Sequence, residues 1–276
     1  VTPDAITAQD YQAFRTFLED VSGIVLGDNK QYLVISRLTK LMVENRLDSF
    51  GMLMQRIKSD GALRQRIMDA MTTNETSWFR DVYPFDILKE KLLPEIAKNQ
   101  PSQIKIWSAA CSTGQEPYSL SMMVNEYLIS KPGSLPANCV QIMGTDISPS
   151  VLAKAKEGRY EGVAVSRGLS EERKNRYFRH VDDSWEVIPD IKKRVAFREM
   201  NLMQSYALLG RFDIIYCRNV LIYFSAELKR DILSRMAKAL NPGGYLILGG
   251  SESISSYSEQ FDLVRWRNGV VYQLKS

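Results

Sequence analysis

Near residue 100 the sequence changes rhythm, and that change governs which folds are open to it. Before it, apolar residues recur every three or four positions, the spacing of helices that pack through one face. After it, short apolar runs alternate with amphipathic stretches. Ile104–Ser108 reads as a strand and Glu116–Tyr127 as a helix. Cys139–Thr145, Phe212–Cys217, Gly244–Gly249 and Val270–Leu274 read as further strands, with helices expected over Ser148–Glu157 and Ser225–Leu240. Strands that alternate with helices and are apolar along their length predict an open, mainly parallel sheet covered on both faces.

The expected organisation is an all-α domain over residues 1–72, a linker helix over 73–99 and an α/β domain over 100–276. In the first part, Thr7 opens a helix with Tyr11, Phe14, Phe17, Leu18 and Val21 on one face. A second helix is expected over Lys30–Leu47. On its wheel Val34, Ile35, Leu38, Leu41 and Met42 share an apolar arc, and Lys30, Arg37, Lys40 and Glu44 share another, read as solvent-facing. The β/α rhythm breaks between about 160 and 200, where Trp185–Ile188 and Val195–Arg198 flank Pro189-Asp190. A small antiparallel insertion is expected there.

Composition removes several kinds of chemistry. The chain has one histidine, His180, so zinc sites built on several histidines are excluded. A Ser-His-Asp system would have to run through His180, which lies in a polar stretch and is expected to be solvated. Cys111, Cys139 and Cys217 show no C-x-x-C spacing and read as reduced, mostly buried thiols. Val1-Thr2-Pro3-Asp4 lacks the layout of a secretory leader, and no apolar run nears the ~20 residues of a membrane span. A cytoplasmic location without membrane insertion is expected. The formal charge of +4 is too mild to argue for nucleic acid. Between Lys30 and Arg66, however, eight Lys and Arg face only Glu44, Asp48 and Asp60. Such a patch suits an acidic partner, or is a set of solvated helix faces.

Two places concentrate residues suited to a ligand. Ile104–Ser119 is a strand, a loop of small residues and a helix start with Pro117 in its first turn. Ala109, Ala110, Ser112 and Gly114 let a ligand approach the backbone at a strand's carboxyl end. Only Gly114 is glycine, and Glu116 follows it; a carboxylate there repels a pyrophosphate but suits the ammonium, sulfonium or ribose of S-adenosylmethionine. The next strand runs into Asp146, placed to accept hydrogen bonds from ribose hydroxyls or to cap the following helix. Arg218 and Asn219, following an apolar strand, would be a costly buried charge and amide without a functional reason.

Three stretches carry a resemblance: Thr73-Asn74-Glu75-Thr76-Ser77-Trp78-Phe79-Arg80, Ser112-Thr113-Gly114-Gln115-Glu116-Pro117-Tyr118-Ser119, and Cys217-Arg218-Asn219-Val220-Leu221-Ile222-Tyr223-Phe224. In this order and spacing they resemble the signature stretches of the CheR family of chemotaxis receptor methyltransferases. The resemblance implies a Rossmann-like class I methyltransferase sheet with an N-terminal all-α domain and a small β insertion. It implies that Asn74, Thr76 and Arg80 contact or line the S-adenosylmethionine site, with Gly114 and Glu116 beside it and Asp146 at the ribose. Asn201 and Leu202 would bracket the adenine, and Arg218 and Asn219 would close the site. Arg80 and Tyr223 would be the catalytic pair. Tyr223 and Phe224 also fit plain packing, and Trp78 and Phe79 fit a structural anchor.

The implied reaction methylates glutamate side chains of chemoreceptors and yields S-adenosylhomocysteine. A glutamate with a pKa of about 4.3 is ionised near neutrality, so no general base and no metal is needed. Lys30, Arg37 and Lys40 would dock the acidic cytoplasmic helical region of a receptor, the enzyme acting as a monomer. Residues 177–202 contain no glycine, which disfavours the receptor-peptide tethering known for some members. A methyltransferase acting on RNA or a small molecule, and a non-catalytic S-adenosylmethionine-binding signalling protein, are the competing readings. A nicotinamide dehydrogenase is disfavoured by the sparse glycines.

Overall fold

The computed structural model describes residues 6–267 and 269–275. Val1–Asp4, read above for a leader, lies outside them. The chain divides into two compact units: Val1–Thr73 with Tyr223–Leu228, and Asn74–Ile222 with Lys229–Ser276.

The first unit holds α1 (Ala8–Ser22), α2 (Gln31–Glu44), α3 (Phe50–Arg56) and α4 (Gly61–Met71). Thr7, Ser49 and Asp60 cap α1, α3 and α4 by accepting backbone N–H groups of their first turns, each such cap contributing about 1 kcal/mol. Tyr11, Phe14 and Leu18 of α1 pack inward with Val34, Leu38 and Met42 of α2, Leu53 and Ile67. Each large apolar side chain so buried contributes about 1.5–3 kcal/mol. Ile35 departs from its expected place and is exposed. It sits at the edge of the apolar arc, where a one-residue rotation of the wheel decides between core and water.

The second unit begins with α5 (Tyr83–Ile87), a π turn (Leu88–Leu92) and α6 (Leu93–Ala97) in one helical run. There follow β1 (Ile104–Ala109), α7 (Gln115–Ser130), β2 (Val140–Asp146) and α8 (Pro149–Glu157). Next come β3 (Arg159–Tyr160), α9 (Val163–Ser166), α10 (Glu171–Tyr177), β4 (Phe178–Val181), β5 (Ser184–Val187), α11 (Pro189–Lys192) and β6 (Val195–Glu199). The unit closes with β7 (Phe212–Cys217), α12 (Ala226–Ala239), whose first turn belongs to the first unit, β8 (Leu240–Leu248), β9 (Phe261–Trp266) and β10 (Gly269–Leu274).

The main sheet has the order β6-β2-β1-β7-β8-β10-β9. Pairing is parallel from β6 to β8 and antiparallel for β10 and β9. Consecutive residues Ile106, Trp107, Ser108 and Ala109 are all buried, so both faces of β1 are covered, as a parallel sheet requires. Strand order reverses between β1 and β7, and ligands of open α/β sheets bind at the carboxyl edge beside such a reversal. Ala109, Asp146 and Cys217 end the three strands there.

The β insertion is a separate antiparallel sheet of order β3-β5-β4. The expected second strand of that insertion, Val195–Arg198, is β6 of the main sheet, paired in parallel with β2 from Ile142↔Val195 to Asp146↔Glu199. Its alternating pattern identified a strand but carried no information about its partner. Pro189-Asp190 opens the short helix α11.

Candidate functional site: the carboxyl edge of the parallel sheet

The loop from β1 to α7 turns tightly, with Ala110 and Ser112 at φ 56° and 51° and Gly114 at φ 93°. A Cβ on Gly114 would lie 2.9 Å from the Ala155 Cβ and 3.2 Å from the Tyr160 hydroxyl, so glycine is required for conformation and for space. Gly114 therefore shapes the loop from beneath.

Asp146 ends β2 and is buried, its carboxylate accepting the N–H of Ser112 at 2.8 Å and of Ser148 at 3.0 Å. It staples two loops, while the cap of α8 is Ser148, which accepts from the Val151 N–H. Leu202 is buried, and its carbonyl accepts from the Tyr206 hydroxyl and Arg235 Nη1, both at 2.7 Å. Asn201 Oδ1 accepts the Met203 N–H at 2.9 Å.

Glu116 differs from its expected state. Instead of a carboxylate free to face a cation, Oε1 accepts from the Ser108 hydroxyl at 2.7 Å and Oε2 from Arg218 Nη1 at 2.8 Å. Arg218 Nη2 donates to both Asp81 Oδ2 and the Arg80 carbonyl at 2.7 Å. Its side chain is only 2% exposed. Burial opposes the charge, but Glu116 and Asp81 outweigh it and raise the Arg218 pKa. Arg218 is thus a buried cation serving the protein's own acids. Leaving this cation with neither acid would strand an unpaired buried charge, at a cost of about 3–5 kcal/mol.

The segment carrying Arg80 is unusual. Phe79, Asp81 and Val82 all have positive φ, at 48°, 66° and 56°. Non-glycine residues in this region cost of the order of 1–3 kcal/mol each and persist only where the surroundings over-determine them. Buried Trp78 donates from Nε1 to the Ala164 carbonyl at 2.9 Å, and the Phe79 N–H meets the Ser119 hydroxyl at 3.2 Å. These two residues are the expected anchor. Arg80 Nη1 donates to the Glu75 carbonyl at 3.1 Å, and its guanidinium makes no salt bridge among the described residues. The Asn74 carbonyl accepts from the Ser112 hydroxyl at 3.1 Å, tying this segment to the β1–α7 loop. Thr76 is half-buried.

Asn219 follows β7 at φ 57°, and its N–H donates to Glu252 Oε2 at 2.6 Å. The same oxygen takes the Gly249 N–H at 2.9 Å. Glu252 and Asp81 were not singled out in the sequence. An acid shortly after β8, as Asp146 ends β2, was a readable signal for Glu252; Asp81 offered none.

Of the remaining candidates, Tyr223 belongs to the first unit, where its carbonyl accepts the Val25 N–H at 2.9 Å. Lys30, the residue before α2, and Lys40 on it are exposed. Arg37 is not free as expected: it donates to the Met71 carbonyl at 2.6 Å and to Thr73 Oγ1 at 3.2 Å. His180 is exposed on β4, edge-on to Trp185. Cys111 and Cys217 are buried thiols whose pKa values desolvation pushes well up, which keeps them protonated and unreactive.

A seven-stranded sheet with its strand reversal at β1/β7, a β2-terminal acid and a glycine-poor β1 loop suits an S-adenosylmethionine-dependent methyltransferase, and the family comparison gives that class. The family descriptions "CheR methyltransferase, SAM binding domain" and "CheR methyltransferase, all-alpha domain" match residues 74–270 and 9–72. The chain belongs to the CheR methyltransferase family. It is 52% identical over 270 residues to "Chemotaxis protein methyltransferase Cher2" of Pseudomonas putida, covering 96% of this chain and 98% of the relative. To "Chemotaxis protein methyltransferase 1" of Pseudomonas aeruginosa it is 54% identical over 269 residues, covering 96% and 98%. To the "Chemotaxis protein methyltransferase" of Vibrio anguillarum it is 52% identical over 278 residues, covering both chains fully.

Proposed function

We propose that this chain methylates glutamate side-chain carboxylates of chemoreceptors, leaving methyl esters and S-adenosylhomocysteine. The observation that carries the reading is Arg80: a guanidinium that forms no salt bridge among the described residues, Glu75, which feels its charge, being paired with Arg167, on a backbone tied by Arg218 to the first turn of α7. Such a cation suits an anionic acceptor better than an RNA base or a neutral small molecule.

Asp146, Asn201, Leu202 and the β1–α7 loop would hold the cofactor, with Asn74, Thr76, Gly114, Glu116, Arg218 and Asn219 shaping the site around it. When bound, S-adenosylmethionine supplies a methyl group on a sulfonium, which a carboxylate oxygen displaces from sulfur with no proton transferred. Arg80 orients the incoming carboxylate; a tight bidentate grip would weaken the nucleophile, so its part is alignment. Tyr223 is the second residue we assign to catalysis, on the family resemblance. Exposed Lys30 and Lys40 are proposed to meet an acidic receptor helix, a pairing that raises on-rate and specificity and weakens with salt. No helix among the described residues is long and apolar enough to cross a membrane; the enzyme is proposed to be monomeric and to work in the cytoplasm.

The test is incubation with labelled S-adenosylmethionine and receptor cytoplasmic fragments. Base-labile label that disappears when the acceptor glutamates are changed to glutamine supports the reading. Label persisting on those variants, or appearing on RNA instead, overturns it.

A further inference from the structure

Asp81 belongs to no signature role, yet it sits where the strain of the second unit is concentrated. It has φ 66°, between Phe79 and Val82, which also have positive φ. Val82 is β-branched, the type of residue that resists positive φ most. A run of this kind relaxes unless something fixes it.

Three bonds do so. Arg218 stands at the end of β7, a strand buried in the middle of the sheet. From there one guanidinium nitrogen reaches both the Asp81 carboxylate and the Arg80 carbonyl, each at 2.7 Å. The other nitrogen holds Glu116, itself held by Ser108 of β1. The Arg80 backbone is thereby indexed to two central strands and to the first turn of α7. Without Asp81 the buried cation would still keep Glu116 and the Arg80 carbonyl as partners. Asp81, with a side chain 39% exposed, is the partner that adds grip on the loop rather than neutralisation of the core.

We infer that Asp81 is a positioning residue for methyl transfer: through Arg218 it holds the Arg80 segment in its positive-φ course, so that the Arg80 guanidinium is presented in one orientation. The inference rests on the assignment of Arg80 made above.

The experiment uses the full chain as wild type, Asp81→Ala, Asp81→Asn and Arg80→Ala, with receptor fragments and S-adenosylhomocysteine. Asp81→Ala keeps Arg218 paired with Glu116, so it folds. Its kcat is expected to fall about ten- to a hundredfold, the scale of a misaligned reacting group. The KM for the fragment and the Kd for S-adenosylhomocysteine should each move less than about threefold, since those contacts are untouched. Asp81→Asn, which still accepts a hydrogen bond from Arg218, should recover part of the loss with an unchanged pH profile, because Asp81 handles no proton. A kcat within about twofold of wild type for Asp81→Ala overturns the inference. So does a fall in kcat matched by equal losses in cofactor affinity and melting temperature, which makes Asp81 merely structural. If wild type labels no fragment, or Arg80→Ala is fully active, the fault lies in the reading beneath the inference.

Discussion

Arg37 Nη1 lies 2.6 Å from the Met71 carbonyl, so a side chain expected to face water instead ties α2 to the end of α4. Its neighbours on the helical wheel, Lys30 and Lys40, remain exposed. The basic face is therefore of two kinds. Arg37→Glu sets a carboxylate against carbonyl oxygens and should destabilise the helical unit by about 1–3 kcal/mol, visible as a lower melting temperature. The pair Lys30→Glu and Lys40→Glu should melt like wild type and bind S-adenosylhomocysteine normally. Methylation of receptor fragments by that pair should drop and lose its salt dependence; unchanged methylation would leave these lysines with no docking role.

Asp146 binds two backbone N–H groups already, so its loss should disturb both loops as well as the ribose contacts. Asp146→Ala is expected to weaken S-adenosylhomocysteine by about 2–4 kcal/mol. Titration calorimetry giving an unaltered Kd would remove Asp146 from the cofactor site.

For Arg80→Ala, the side chain's single hydrogen bond to the Glu75 carbonyl means little folding energy is at stake. Methyl transfer should fall by about a hundredfold or more while circular dichroism and cofactor binding stay near wild type. Arg80→Lys should recover little, because an ammonium cannot reproduce the planar fork. Near-normal turnover in either folded variant would end the assignment.

Gly168 has φ 86°, and a Cβ there would come within 2.1 Å of the Trp78 carbonyl. Gly168→Ala combines left-handed strain with a backbone clash and should cost more than about 2 kcal/mol. Thermal denaturation measures the loss, and since the clash falls on the Trp78 anchor, kcat should fall with it. A variant as stable as wild type would show that the loop gives way freely.

Much of this was readable in the residues because it is local. The strand, tight loop and helix of 104–119 declare themselves by composition, and Asp146 declares itself by ending an apolar strand. Arg218 and Asn219 stood out because polar groups at the end of a buried strand need a reason. What escaped the reading depends on partners distant in sequence. Glu116 looked free because the cation that occupies it lies beyond β7. Arg37 looked solvated because a wheel places the Cα and says nothing of where a long flexible stem folds. Val195–Glu199 had the right pattern for a strand, but periodicity does not name the neighbouring strand, and it joined the other sheet.

The helical unit takes in six residues, Tyr223–Leu228, from far along the chain, and the Tyr223 carbonyl closes on the Val25 N–H. The polypeptide passes between the two units three times, after residues 73, 222 and 228. Cutting after residue 73 would therefore yield an incomplete piece, with Val25 deprived of its acceptor. Exchange of helical units between relatives cannot proceed as a simple swap of N-terminal cassettes. A working chimaera must carry 223–228 along with its helices, so that any change in what the helices recognise is inherited together with the stretch that contains Tyr223.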